Sequence, residues 1–371
     1  MQMLLKYSRI FLLITVLLFT YSGIFANEER QDTTSSKENG KTKEKFNAGT
    51  FIIEHVLDNH EWHIANIGKI NISIPLPIIA YSYKHGLLFF MSSKFEHGQV
   101  SYKGLRISEE SPNNGKLVEV LDDGVTIDKD AKHPLDFSIT KNVLELFIIC
   151  FFILWIFLSV AKSYKTRKNM APKGMQSWLE PLILFVRDDI ARPSIGHKYE
   201  KYLPYLLTIF FFIFFTNLLG LIPIFPGGAN LTGNITITMV LALFTFVITS
   251  VNANANYWKH IINAPGVPWW LKIPLPLMPI VEIIGVFTKP FVLMVRLFAN
   301  ITAGHIIALG FFSLIFIFGE MSHGAGYGIS VLSVIFTIFM SFLELLVAFI
   351  QAYVFTLLSA LYFGMATEEH H

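Results

Sequence analysis

Five stretches of the chain stay apolar for about the thickness of a bilayer, and all of them follow residue 140. They lie near residues 142–161, 204–225, 235–253, 280–318 and 329–364, each set against the ~20 helical residues that cross a hydrocarbon core of ~30 Å. The last two are oversized. At ~1.5 Å rise per residue they reach ~50 Å or more, so they must tilt strongly, kink or project beyond the lipid. Pro290 is placed to kink or to start the first of the two. Upstream the pattern changes. Residues 1–26 carry Lys6 and Arg9, an apolar run over 10–20, and then the small residues Ser22, Gly23 and Ala26. That order predicts a secretory signal peptide, the alternative being an extra N-terminal helix. Residues 27–140 open with Q-D-T-T-S-S-K-E-N-G-K-T-K-E-K and continue through β-leaning pieces such as N-I-S-I-P-L-P-I-I-A. They predict a linker and a small polar domain outside the membrane. The expected fold is an all-α polytopic membrane protein, its membrane domain covering 141–371, with about five transmembrane helices, the last two long and tilted.

Composition agrees with that pattern: 53% of residues are hydrophobic, Phe alone supplies 35 of 371, and only 15% are charged. A net charge of +2 is too small to suggest nucleic acid, and the basic residues sit beside apolar spans instead. The segment 162–203 is rich in Lys and Arg, from Lys162 through Arg187 and Arg192 to Lys201, and 254–279 carries Lys259 and Lys272. The alternate loops, P-G-G-A-N-L-T-G-N and G-E-M-S-H-G-A-G-Y-G, have neither. The positive-inside rule then puts the basic loops and the C-terminus in the cytoplasm and the N-terminal domain outside. Within the first basic loop, W-L-E-P-L-I-L-F-V-R-D-D-I repeats apolar residues at helical spacing. It reads either as an interfacial helix with Trp178 at headgroup depth or as an amphipathic helix packed on the protein itself. Cys150, the single cysteine, rules out disulfides and Cys-based metal sites.

Candidate chemistry lies where ionisable residues interrupt the spans. Glu344 sits about 15 residues from the start of its run, ~22 Å along a straight helix, too far for a glutamate to snorkel. It must be neutral, partnered or in contact with water. Gln351, seven residues on, falls ~20° away on a helical wheel and shares that face. Arg296 has two readings. A helix entering the lipid at Pro290 would let it snorkel, but Glu282, Lys289, Arg296 and Asn300 fall within an arc of ~80°, a polar stripe suited to a wet cavity or a partner helix. His305 projects from the opposite side and is free to face Glu344, which would make a proton relay.

The run K-P-F-V-L-M-V-R-L-F-A-N-I-T-A-G-H, followed by F-L-E-L-L-V-A-F-I-Q-A-Y-V-F-T-L-L-S-A-L-Y, resembles the signature of subunit a of F-type ATP synthases, and F-F-T-N-L-L-G-L-I-P resembles that family's earlier span. The resemblance covers roughly 142–368. It implies that Arg296 is the arginine facing a rotating ring of c subunits and that Asn300 is the polar residue one turn later. Gln351 then matches the glutamine approaching that arginine, and His305 and Glu344 the pair lining the proton entry path. Asn217 matches a polar position of the earlier span. The resemblance also implies a bacterial inner membrane, with the c-subunit ring, peripheral-stalk b subunits and the remaining synthase subunits as partners, and no cofactor. Consistent with a non-catalytic subunit, the chain has no G-x4-G-K-[S/T] loop and no Gly-rich dinucleotide turn. Two other readings compete. A secondary transporter predicts internal repeats around a midplane site, and none is evident. A metal-binding N-terminal module would be built on His55, Asp58, His60, Glu61 and His63.

Overall fold

The computed structural model describes Gly49 and residues 58–368, apart from 68–69, 97, 99, 109–114, 122, 125, 129–130, 168–169, 223–226, 263–276 and 322. The signal peptide expected over 1–26 and His55 lie outside the described residues. The chain divides into two compact units. One comprises residues 1–147, 222–230 and 304–341; the other comprises 148–221, 231–303 and 342–371.

The first unit holds the β-rich N-terminal domain. β1 (Glu61–Ile67) and β2 (Ile70–Pro75) form an antiparallel pair with a register shift between His63 and Ala65. β3 (Pro77–Ser82) pairs on one side with β4 (Gly86–Met91) and on the other with β7 (Leu135–Asp136), while β5 (Leu105–Ile107) pairs with β6 (Leu117–Glu119). Period-two alternation sends Ile78, Ala80, Leu88 and Phe90 inward, where they join Phe95, Leu105 and Leu117 in one core. The other face of the three-stranded sheet is apolar too. The register sets Leu87, Tyr81 and Leu135 in one row. Phe89 pairs with Ile79, to whose carbonyl Phe137 donates. Leu87 and Phe89 are 71% and 68% exposed.

Contacts from Asn59 and Asp58 fasten this domain to the first span, α1 (Lys141–Thr166), and a His60–Asp136 pair within the domain ties the segment before β1 to β7. The amide of Lys141 donates to the Asn59 carbonyl at 3.0 Å. Asp58 accepts from the Asn142 amide at 3.1 Å and from the Thr140 hydroxyl at 2.9 Å, filling orphan donors of the helix N-terminus as a capping carboxylate does. His60 Nε2 meets Asp136 Oδ2 at 2.8 Å.

In the second unit α2 (Met175–Phe185) does not end before the next span. A π-helical turn (Val186–Ala191), one α turn (Arg192–Ile195) and a 3-10 turn (Gly196–Lys198) carry it into α3 (Tyr199–Gly220). Trp178 on α2 is 84% exposed. α4 (Ile235–Asn252) begins at Asn234, whose side chain accepts from the Thr236 amide at 3.0 Å, and α5 (Ala255–Ile262) follows it. The two last spans are helices of 45 residues each, α6 (Leu277–Met321) and α7 (His323–Thr367). At ~1.5 Å per residue each is ~68 Å long, more than twice a hydrocarbon core. Pro290 lies inside α6 and does not start it. Among the described residues five helices, counted with α2 and α3 as one, are long and apolar enough to cross a membrane, and the protein is a multi-pass membrane protein.

The C-terminal half of α7 is the packed part. Ala348, Gln351, Ala352, Phe355, Thr356, Ser359, Ala360 and Phe363 are buried at the i, i+3, i+4 spacing of one helix face. Phe349 and Tyr353 meet Phe185 from α2, and Phe349 meets Phe210 and Phe214 from α3. Phe363 stacks on Tyr202 with centroids 4.8 Å apart. The Tyr205 and Thr245 hydroxyls bond at 2.8 Å, and Thr245 reaches Ser359 at 3.4 Å, linking α3, α4 and α7. Gly364 is where the chain comes closest, for a Cβ there would lie 2.0 Å from the Ser194 carbonyl oxygen.

Candidate functional site within the spans

Arg296 lies 19 residues into α6, ~29 Å from its start at Leu277. The route to headgroups expected for a helix beginning at Pro290 is therefore not the one this helix offers. The side chain is exposed, and around it α6 alternates two faces. Leu293, Met294 and Leu297 are buried; Arg296, Ala299, Asn300 and Ala303 are exposed. The exposed set follows i, i+3, i+4, i+7, so a guanidinium and an amide stand with two alanines between the exposed Val292 and Ile307. Small residues let a second helix approach closely, and a charge on such a strip needs a counter-charge on whatever approaches. Among the described residues Arg296 has no hydrogen bond or ion pair, and Tyr362 on α7 stands within electrostatic reach of it.

The polar stripe read from the sequence splits in two. Lys289 turns toward the protein, its ammonium 5.9 Å from the Tyr257 ring and 5.5 Å from the Tyr362 ring, with Glu282 close enough to interact. These contacts are cation–π pairings with a nearby carboxylate, and they line a small cleft with Thr245, Thr249 and Pro290. Arg296 and Asn300 form the other part, which faces away from the protein.

Glu344 is half-buried near the middle of α7, and its Oε1 has no hydrogen-bond partner among the described residues. Gln351, two turns on, is only 6% exposed, so it belongs to the packed face of α7 while Glu344 sits at that face's margin. His305 is half-buried on α6 and belongs to the first unit, whereas Glu344 belongs to the second. Asn217 is occupied structurally. Its carbonyl oxygen accepts from the Thr232 hydroxyl at 2.7 Å and its amide donates to the Ala348 carbonyl at 3.5 Å, so it ties α3 to α7 and to the loop before α4.

Two of the residues considered for a metal are otherwise engaged. Asp58 caps α1 and His60 holds Asp136, and among the described residues no group of three or more His, Cys, Asp or Glu is placed to hold a metal ion. Sequence reasoning passed over Glu145 on α1, which is 0% exposed with both carboxylate oxygens lacking a hydrogen-bond partner among the described residues. The available signal was an acid among apolar residues one turn inside the first span.

Known proteins match this chain in two pieces. Residues 143–364 match the family described as ATP synthase A chain, and residues 51–137 match a family described only as a domain of unknown function. The ATP synthase subunit a of Chloroherpeton thalassium is 45% identical over 243 residues, covering 63% of this chain and 69% of the relative. That of Chlorobium phaeobacteroides is 41% identical over 292 residues, covering 74% and 80%. That of Myxococcus xanthus is 43% identical over 244 residues, covering 64% and 75%. With the matched region running from the start of the first span nearly to the end of the last, the chain belongs to the family of F-type ATP synthase subunit a.

Proposed function

We propose that the chain is the stationary half of a rotary proton channel, passing protons through two half-channels where it meets a ring of c subunits. The observation that carries this reading is the exposed Arg296 on the strip it shares with Ala299, Asn300 and Ala303. A guanidinium stays charged at any pH a cell meets. On a lipid-facing surface it would be costly, whereas beside a helix bearing a carboxylate it has a function. It attracts the ionised carboxylate, favours release of that carboxylate's proton, and repels a proton crossing directly from one half-channel to the other. Each ring site must then be protonated through the entry half-channel, carried through lipid for nearly a full turn, and discharged through the other.

His305 and Glu344 serve the entry half-channel in this reading. Both titrate, and the unbonded Oε1 of Glu344 leaves it able to take or give a proton. Asn300 shares the exposed strip with Arg296, and Gln351 supports the α7 side from within the packing. Each charge moved down 100 mV releases ~2.3 kcal/mol, so several must pass for each ATP and the ring accumulates the steps. Nucleotide chemistry belongs to other subunits, with peripheral-stalk b subunits holding this chain still. The chain lies in a bacterial inner membrane, its residues 27–140 outside and its C-terminus in the cytoplasm, after removal of residues 1–26.

Arg296→Ala in the assembled, reconstituted complex tests the reading. The expected result is loss of proton-driven ATP synthesis with a retained passive proton leak, measured by luciferase and by a pH-sensitive dye. Coupled synthesis at the wild-type rate would refute it.

A further inference from the structure

A carboxylate removed from water and given no donor is one of the more expensive things a protein can bury, and its retention calls for a use. Glu145 is such a group. It is fully buried, and among the described residues neither Oε1 nor Oε2 has a hydrogen-bond partner. One helical step away, at the i, i+3 spacing that puts two residues on one face, Asn142 is 4% exposed with its Oδ1 also unpartnered. Three acceptor oxygens thus collect on one side of the first two turns of α1. Lys141, on the same helix, is 7% exposed and lies within Coulombic range of Glu145, as does Asp58 from the segment before β1. Lys141 is also within Coulombic range of His305 on α6. Asp58, Lys141, Glu145 and His305 all belong to the first compact unit, so one buried electrostatic field joins the foot of the N-terminal domain, the start of α1 and the histidine assigned to the entry path.

A purely structural role accounts poorly for Glu145. A structural carboxylate would accept from a helix N-terminus or pair directly with a cation, as Asp58 does with the Asn142 amide and Asp136 with His60. Glu145 does neither. We propose that Glu145 is a proton-carrying residue at the mouth of the entry half-channel, receiving protons from the N-terminal side and delivering them toward His305. The step balances simply. A hydronium ion gives its proton to the Glu145 carboxylate, leaving water and a carboxylic acid; the acid then gives that proton to the next base, and the carboxylate is restored. Lys141 and Asp58 are the charged groups within Coulombic reach of that carboxylate. The inference rests on the proton-channel reading above, and it adds an entry residue from a helix that reading does not use.

The test uses the full complex reconstituted in vesicles, with Arg296→Ala measured in parallel. Glu145→Gln keeps shape and removes the titrating group. Proton-driven synthesis is expected to fall about tenfold or more, its dependence on pH at the N-terminal side is expected to flatten, and Glu145→Asp is expected to restore part of both. Lys141→Gln removes the cation without touching the carboxylate, and is expected to move that pH dependence toward higher pH. A Glu145→Gln complex with wild-type rate and pH profile overturns the proposal, as does Lys141→Gln with an unmoved profile should Glu145→Gln fail to assemble. If instead Arg296→Ala remains coupled, the channel reading falls, and this inference falls with it. An uncoupled Arg296→Ala beside an unaffected Glu145→Gln overturns this inference alone.

Discussion

A guanidinium and an amide in the same membrane protein do opposite work, and Arg296 and Asn217 illustrate it. Arg296 has no hydrogen bond or ion pair among the described residues and faces outward from α6. Asn217 is 4% exposed with both ends of its amide engaged. Replacing Asn217 by Ala leaves the Thr232 hydroxyl and the Ala348 carbonyl without it. Polar contacts within bilayers are worth ~1 kcal/mol, so the expected effect is a drop of a few degrees in the thermal stability of the solubilised complex. Coupled synthesis at lower temperature is expected to be unchanged. A melting curve paired with a synthesis assay checks both. Uncoupling without loss of stability would mean that Asn217 lines the proton path after all. The resemblance pointed to Asn217 as a polar position, but its two partners are 15 and 131 residues away, and no local pattern could reveal them.

At the scale of elements, the packing of α7 depends on small residues. Ala348, Ala352, Ser359, Ala360 and Gly364 recur along its buried face, the kind of surface that lets helices approach without a hydrophobic driving force. Gly364 is the tightest point. A Cβ there would lie 2.0 Å from a backbone oxygen of the turn between α2 and α3, which is not the movable tip of a side chain. Gly364→Val is therefore expected to displace the C-terminal end of α7 and cut the amount of assembled complex severalfold, read by membrane immunoblot. Normal assembly would show that this turn yields easily. The spans themselves were legible because a run of ~20 apolar residues has few other uses. The continuous path from α2 through a π turn into α3 was not. The sequence shows an amphipathic stretch and then a span, whereas the join depends on Phe185 packing against Phe349 and Tyr353. Glu145 escaped notice for a related reason. Five residues into α1, it reads as a flank able to reach water, whereas it is fully buried in the fold.

For the molecule as a whole, the question is how a β domain stays fixed to a membrane helix, and the His60–Asp136 pair, which ties the segment carrying Asp58 and Asn59 to β7 just before α1, gives a measurable handle on it. Burial pushes His60 down, but its bond to Asp136 and that carboxylate's charge outweigh burial and hold it above its usual 6.5. Burial pushes Asp136 up, but the same bond, with help from Ser138, holds it below its usual 3.8. A histidine raised by folding contributes stability that is complete below pH 6.5 and lost as pH rises through its folded value. An aspartate lowered by folding contributes stability that is complete above pH 3.8 and lost as pH falls through its folded value. The pair is thus at full strength between these limits. Asp58 has the same sign as His60, since burial raises it despite its bonds to Asn142 and Thr140, and ionising it costs the folded state as pH climbs above 3.8 through its folded value. Hydrogen exchange at the amides of Ser138, Lys141 and Asn142, followed in the membrane-embedded protein, is expected to show protection that weakens as pH rises beyond neutrality. Asp136→Asn is expected to lower protection at pH 5 to 6 and to weaken the decline above neutrality. An unchanged pH profile in that variant would show that the Asn59 and Asp58 contacts at the start of α1 hold the domain unaided.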